Sequence, residues 1–311
     1  MLSCTLWALG IMAGIILFFY ALYWFKLNVS FNKKPPLQGE FIKLKDYSLF
    51  YTQHGNPNAK QTLLFVHGFQ SSHYFFHKNI DFFKKDMQVI ALDLLGCGFS
   101  DKPLDFNYQF QTYAHVIKEF LDAKKIDKVI YVGHSMGGGV GLAFASLYPE
   151  KLEKLVAIAP ANPYDLESLM NFEKMLNKGV FFALTVLDNI FLSKKTYENR
   201  ICYKQKIPFK ELKKITAHKW TKNGRKAALK IVKSGGIEDV ARLKEGLLNI
   251  CVPVLLVYGL KDKIVNAKKG PLLAQNIAQA KLVSFENEGH SPHYENPEEF
   301  HKTLLHWFGE G

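Results

Sequence analysis

Ser135 stands between glycines in Gly133-His134-Ser135-Met136-Gly137, and its flanks give that pattern a setting. The β-branched, apolar run Val129 to Val132 reads as a strand. After it, Val140, Leu142, Ala143, Phe144 and Leu147 recur at helical spacing. A serine on a sharp turn from strand to helix is a nucleophile elbow. Small neighbours let the backbones approach, and the helix N-terminus aims its N–H groups at negative charge developing on a substrate. A serine hydroxyl needs a base within hydrogen-bond reach, and the base needs a carboxylate to orient it. Downstream, the apolar run Val254 to Tyr258 ends in Gly259-Leu260-Lys261-Asp262, and the last such run ends in Glu288-Gly289-His290. Ser135, Asp262 and His290 stand in the order nucleophile, carboxylate, base expected of such an elbow. The chemistry they would do is attack on a carbonyl through an acyl-enzyme, which requires no metal and no organic cofactor.

Other residues compete for these roles. His293 lies three residues beyond His290, Asp165 follows the strand after the elbow, and Asp188 and Glu288 are further carboxylates. His134 adjoins the serine, but neighbours on a tight turn point apart, so it reads as a packing or loop-stabilising residue. A tetrahedral oxyanion needs two fixed donors. The backbone N–H of Met136 is one; the other is expected from Phe69, in the turn after His67-Gly68. Gly68 suits that place because a side chain would crowd the carbonyl, and His67 reads as a brace.

The elements that must hold these residues alternate. Phe41 to Leu44 and Ser48 to Thr52 look like an antiparallel pair around Asp46-Tyr47. Strands are expected at Thr62–Val66, Val89–Leu92, Val129–Val132, Leu155–Ala159, Pro253–Tyr258 and Lys281–Phe285. Helix-length stretches lie over Ser72 to Lys84, Tyr108 to Lys124 and Pro297 to Phe308. Strands alternating with helices predict an α/β fold, a mostly parallel sheet covered on both faces. Ligands then bind beyond the carboxyl ends of the strands, where every polar cluster singled out above falls.

The chain has 311 residues and a net charge of +12, which suggests an anionic partner. No nucleic-acid motif accompanies the charge. Cys4, Cys97, Cys202 and Cys251 are scattered, which argues against a zinc site or a disulfide framework. Met1 to Phe25 carries no charged residue, and Tyr20, Tyr23 and Trp24 gather at one end, before Lys26, Lys33 and Lys34. That is a bilayer's length of apolar helix with an aromatic belt. It lacks the positive n-region and the small-residue cleavage site of a signal peptide. An uncleaved anchor over 1–27 is expected, with a linker at 28–39. The lysines on the C-terminal flank place the following domain in the cytoplasm by the positive-inside rule.

Together, His67-Gly68-Phe69, Asp93-x-x-Gly96-x-Gly98-x-Ser100, Gly133-His134-Ser135-Met136-Gly137-Gly138, Gly259-x-x-Asp262 and Gly289-His290 resemble the α/β-hydrolase superfamily over Phe41 to Phe308. Within it the chain looks like the membrane-anchored monoacylglycerol lipase branch and related bacterial esterases and C–C bond hydrolases. The resemblance implies an eight-stranded sheet and the triad Ser135, Asp262 and His290. Epoxide hydrolases and haloalkane dehalogenases carry aspartate at the elbow, and the former tend to have proline where this chain has Gln70.

About 90 residues separate the strand ending near Pro160 from the one starting near Pro253, more than one crossover needs. The resemblance implies an inserted helical cap, placed at 163–236, dividing the core into 40–162 and 237–311. Leu166 to Leu176 reads as an amphipathic helix and Val180 to Leu187 is nearly all apolar. These fit cap packing, or an acyl-chain tunnel or membrane-facing patch. Phe209 to Lys233 is crowded with Lys and Arg against the lone acid Glu211, which suits a solvated face or anionic headgroups. The expected function is a membrane-anchored serine hydrolase of a monoacylglycerol or similar lipid ester. A small-molecule carboxylesterase or C–C hydrolase could use the same triad, and a non-catalytic tethered protein would be expected to have lost one of its members.

Overall fold

The computed structural model describes residues 2–28, 39–165, 167–168, 170, 187–188, 190–203, 205–235 and 237–309. Eight strands form one sheet in the order β1-β2-β4-β3-β5-β6-β7-β8. They are β1 (Gly39–Lys43), β2 (Ser48–His54), β3 (Thr62–Val66), β4 (Gln88–Leu92), β5 (Val129–His134), β6 (Leu152–Ile158), β7 (Val254–Gly259) and β8 (Ala280–Phe285). The pair β1 and β2 is the antiparallel hairpin around Asp46-Tyr47, and β2 also meets β4 antiparallel. All other pairings are parallel.

Strand residues alternate between two cores, as a period of two requires. Leu63, Phe65, Val89, Ala91, Ile130, Val132, Val156 and Ile158 face Phe76, Ile80, Phe83, Phe300, Leu304 and Trp307. Leu64, Val66, Ile90, Leu92, Tyr131, Leu155 and Ala157 face the helices Phe110–Ala123 and Met136–Leu147 on the other side. Near-continuous apolar runs in the central strands follow from this double burial.

Two expectations need correction. The stretch over 72–84 is not one helix but a 3-10 turn, His73–Phe76, followed by the helix His77–Phe83. The backbone N–H of His73 is tied to the Asp93 carboxylate at 2.6 Å, which fixes that first turn against the end of β4. The linker expected over 28–39 is shorter, because Asn28 still belongs to the first helix and Gly39 pairs with Thr52 in the hairpin. Its remainder lies outside the described residues, as do nearly all of the stretches Leu166 to Leu176 and Val180 to Leu187.

The helix Leu2–Asn28 stands apart from both cores. Ile11, Ile15, Phe18 and Trp24 are exposed along it. Its 27 residues span about 40 Å, against about 30 Å of hydrocarbon in a bilayer. Among the described residues it is the one helix long and apolar enough to cross a membrane. Its last turn meets the helical segment between β6 and β7, which includes Ile190–Thr196, Phe209–Ile215 and Gly224–Ser234.

Candidate active site

β5 ends at His134, and Ser135 then adopts φ 54°, ψ −115° before the helix Met136–Leu147 begins. That conformation is rare for a side-chain-bearing residue and costs of order 1–3 kcal/mol. The surroundings hold it in place. Ser135 N–H donates to Ile158 O of β6 at 2.8 Å. Its carbonyl accepts from Gly138 N–H at 2.9 Å and Gly139 N–H at 3.0 Å.

The turn after β3 packs directly on this elbow. A methyl group on Gly68 would come within 3.0 Å of Ser135 Cβ, and one on Gly137 within 2.3 Å of Val66 O. Glycine at both positions lets the end of β3 and its following turn lie directly against the elbow. As the first residue of its helix, Met136 has an N–H with no acceptor inside the helix. His67 is a brace, as expected. It is fully buried, its Nδ1 donates to Gly68 O at 2.7 Å, and its Nε2 accepts from Leu94 N–H at 3.1 Å.

Asp262 follows β7 and His290 follows β8, and the structure brings them together. His290 Nδ1 donates to Asp262 Oδ2 at 2.7 Å. The other oxygen, Oδ1, accepts from the N–H groups of Ile264 at 2.7 Å and Val265 at 3.1 Å. The carboxylate is thus fixed on both sides, and both side chains are almost completely buried. With Nδ1 committed to Asp262, Nε2 is the nitrogen through which His290 can take up a proton.

The competing residues are placed otherwise. His293 is completely buried among Phe75, Phe76, Phe300 and His134, and neither ring nitrogen has a partner among the described residues. Burial, with His290 and Lys78 nearby, holds its pKa well below the usual histidine value. Asp165 accepts from the backbone of Asn266 at 2.8 Å and of Ser168 at 3.3 Å. Glu288 takes Asn296 Nδ2 at 2.8 Å, and Asp188 lies in the segment between β6 and β7. His134 does stabilise a loop: its Nε2 donates to His290 O at 2.9 Å. Burial, and secondarily His293 and His290, keep its pKa well below the usual value, so that it is the neutral form that holds this bond.

Two buried carboxylates complete the surroundings. Asp93, at the end of β4, takes His73 Nδ1 at 2.9 Å and Phe99 N–H at 2.8 Å. Burial alone would raise its pKa. The histidines His73 and His67 and the hydrogen bonds reverse that and hold it well below the usual range. Glu295 clamps the histidine loop, accepting from Gly289 N–H at 2.7 Å and Ser291 N–H at 2.8 Å, the residues on either side of His290. Burial pushes its pKa up to about 7 against those bonds. Sequence reasoning assigned no role to either. Asp93 had a signal in its glycine- and serine-rich motif, whereas nothing around Glu295 marks it. Among the described residues no group of three or more His, Cys, Asp or Glu is placed to hold a metal ion.

A family model described as the alpha/beta hydrolase fold matches residues 61–297. The chain is 24% identical over 296 residues to Monoacylglycerol lipase ABHD6 of Homo sapiens, covering 91% of this chain and 84% of that protein. It is 27% identical over 250 residues to Lipase 1 of Psychrobacter immobilis, covering 78% and 75%. Its fold resembles a crystal structure of a membrane phospholipase A described as a bacterial virulence factor, with a TM-score of 0.71 and 21% identity over 99% of this chain and 97% of that one.

Proposed function

The chain belongs to the α/β-hydrolase family, and from that premise we propose that it is a membrane-anchored serine hydrolase cleaving carboxylic esters of single-chain lipids, a monoacylglycerol foremost. The observation that carries the reading is the 2.7 Å bond from His290 to Asp262, whose side chain is fully buried, two strand ends from a serine on a strained elbow.

In this reading Ser135 Oγ attacks the ester carbonyl while His290 Nε2 takes its proton. Asp262 holds the imidazole in the tautomer with hydrogen on Nδ1 and stabilises the imidazolium. The backbone N–H groups of Phe69 and Met136 receive the oxyanion. His290 returns the proton to the leaving alkoxide, leaving an acyl-Ser135. Water, deprotonated by the same histidine, then releases the fatty acid. The strain at Ser135 serves this chemistry by presenting Oγ beyond the carboxyl end of β5.

Three observations support a lipid substrate. The relatives named above are a monoacylglycerol lipase and a lipase. A helix of bilayer length precedes the core. Exposed apolar side chains lie on the segment between β6 and β7. We take that segment as a cap over 163–236, between core halves 40–162 and 237–311. The lysines after the first helix favour a cytoplasmic catalytic domain.

Glycerol release from 1-monoacylglycerols of increasing chain length, with a Ser135→Ala control, tests the reading. Release that peaks at medium or long chains and disappears in the variant is expected. Ser135-dependent cleavage confined to acetyl and butyryl esters would make this a small-molecule esterase. A C–C hydrolase would instead turn over a vinylogous diketone. A fluorophosphonate that failed to label Ser135 would overturn the nucleophile itself.

A further inference from the structure

One carboxylate organises the meeting of the first helix with the cap. Asp188 Oδ1 accepts from Lys219 Nζ at 3.1 Å and Ser193 Oγ at 3.1 Å, and Oδ2 from Arg225 Nη2 at 3.4 Å. The Asp188 carbonyl accepts from Lys26 Nζ at 2.8 Å. Arg225, 7% exposed, turns its other nitrogen Nη1 to Lys26 O at 2.9 Å, and Lys226 Nζ reaches Asn28 Oδ1 at 2.7 Å. Burial would raise the pKa of Asp188, but Lys219, Arg225 and the Ser193 hydroxyl hold it below the usual range, so the latch keeps its negative centre. The end of a bilayer-length helix is thereby joined to cap residues.

An apolar face lies beside this latch. Leu187 is 59% exposed and Phe191 71%, with Leu192 and Phe209 also exposed. The rings of Phe191 and Phe209 meet edge to face at 5.3 Å. On the helix Ile190–Thr196, Ser193 turns inward to the latch while Phe191 and Leu192 turn to solvent. Cations rim the patch. Lys194 Nζ lies 5.4 Å from the centre of the Phe209 ring, and Lys195, Lys210 and Lys213 are exposed. The nearby acids are engaged, Glu198 by Lys194 and Glu211 by Tyr294 and His77.

Large apolar side chains ringed by lysines match the face of an interfacial helix, and anionic headgroups supply the complementary charge. Continuity selects this occupant, because the latch sets the patch at the level where the first helix ends. We propose that the anchor and the cap form one membrane-docking unit, in which the face of Leu187, Phe191, Leu192 and Phe209 enters the anionic leaflet beside the anchor's end and Asp188 holds the two parts in register. The proposal rests on the reading of Leu2–Asn28 as an anchor. It gives the cap a fixed position at the surface from which a single-chain lipid would come.

The test uses the full chain in vesicles of phosphatidylcholine with or without phosphatidylglycerol. Cys4 and Cys251 are replaced by serine, since Cys97 and Cys202 are buried. An environment-sensitive dye is attached at Phe191→Cys or, as a control, at Leu305→Cys on the C-terminal helix. Doxyl-labelled lipid should quench the dye at 191 strongly and at 305 little, and phosphatidylglycerol should increase the quenching at 191. Asp188→Asn should reduce that quenching while the protein still floats with the vesicles. The surface variant Lys195→Gln/Lys210→Gln/Lys213→Gln, whose three side chains are exposed, should remove the phosphatidylglycerol dependence. Equal quenching at both positions in floating protein would overturn docking by the cap and leave the anchor standing. Dye self-quenching at 191 without doxyl lipid would assign the face to a second copy instead. Protein that did not float would overturn both anchor and docking.

Discussion

The two regions that carry the proposed function handle their polar groups in opposite ways. At the strand ends, Asp93, Asp262, Glu295, His67 and His134 are inside the protein, and each is held by backbone N–H or C=O groups. In the cap the charges are mostly outside and large apolar side chains are outside with them. Buried polar groups bound to backbone cannot rearrange without leaving a group unsatisfied, which costs about 1–3 kcal/mol each. Such a region suits chemistry, which needs atoms in fixed places. Exposed Phe191 and lysines gain from a partner and lose little without one, which suits a surface that meets lipid. Substitutions in the two regions should therefore differ in kind. The first should change rate or stability whatever the substrate's physical state, and the second only when the substrate sits in a membrane.

The largest effects are expected at Ser135 and Asp262. Ser135→Ala should abolish turnover and Asp262→Asn should lower kcat by about 10⁴-fold, since asparagine favours the wrong imidazole tautomer. Both losses should be equal for a soluble short-chain ester and a vesicle-borne monoacylglycerol. A variant at either position that lost activity only on vesicles would break the division between regions. Next is Asp93, which faces a buried histidine and two backbone N–H groups. Asp93→Ala should cost about 3–5 kcal/mol, seen as a lower midpoint in denaturant. Its carboxyl is held below its ordinary value of 3.8. The stability it contributes is therefore complete above that pH and is lost as pH falls through the lower folded value. The gap between wild type and variant should narrow only in strong acid.

The sequence exposed these regions unequally. The near-continuous apolar runs of β3 to β7 and the glycine clusters at their ends carried the sheet and the elbow, because double burial leaves an apolar signature and tight turns leave glycines. Asp262 and His290 could be paired only by their order and their strand-end positions, and Asp165 and His293 met the same criteria. What separates them is a third dimension. Asp262 has backbone donors on one oxygen and an imidazole on the other, while His293 is walled in by phenylalanines. Glu295 was illegible, because it takes the backbone N–H groups of Gly289 and Ser291, six and four residues away, and any residue type supplies those. The latch was illegible for a related reason: Lys26 and Asp188 lie 162 positions apart. Nothing local in either stretch announces the other.

Glu295 sharpens the comparison from within the buried region, because it is a clamp at odds with its own burial. Burial raises its pKa from the ordinary value of 4.5 to about 7. The folded state thus binds its proton more tightly than the unfolded state. The associated stability is present below pH 4.5 and is lost as pH rises through about 7, a difference of about 3 kcal/mol. Glu295→Gln removes that dependence but keeps one acceptor for two N–H groups. Measured against pH, the variant should gain on wild type from acid to neutral and hold level above. Parallel melting profiles would show that the carboxyl is not strained by burial.

The smallest effect belongs to the cap lysines, and it is the one that tests the other side of the comparison. Each lysine near an anionic leaflet contributes about 1 kcal/mol, and the attraction is screened over about 8 Å at physiological salt. Lys195→Gln/Lys210→Gln/Lys213→Gln should therefore raise the apparent KM for monoacylglycerol presented in phosphatidylglycerol vesicles. kcat should stay unchanged, because all three side chains are exposed. Added salt should give wild type the same raised KM and do little to the variant. With a soluble short-chain ester the two proteins should be indistinguishable at any salt. A change in kcat on the soluble ester would mean that the cap reaches the chemistry through the protein, and the separation drawn between a rigid site and an adaptable surface would fail at that point.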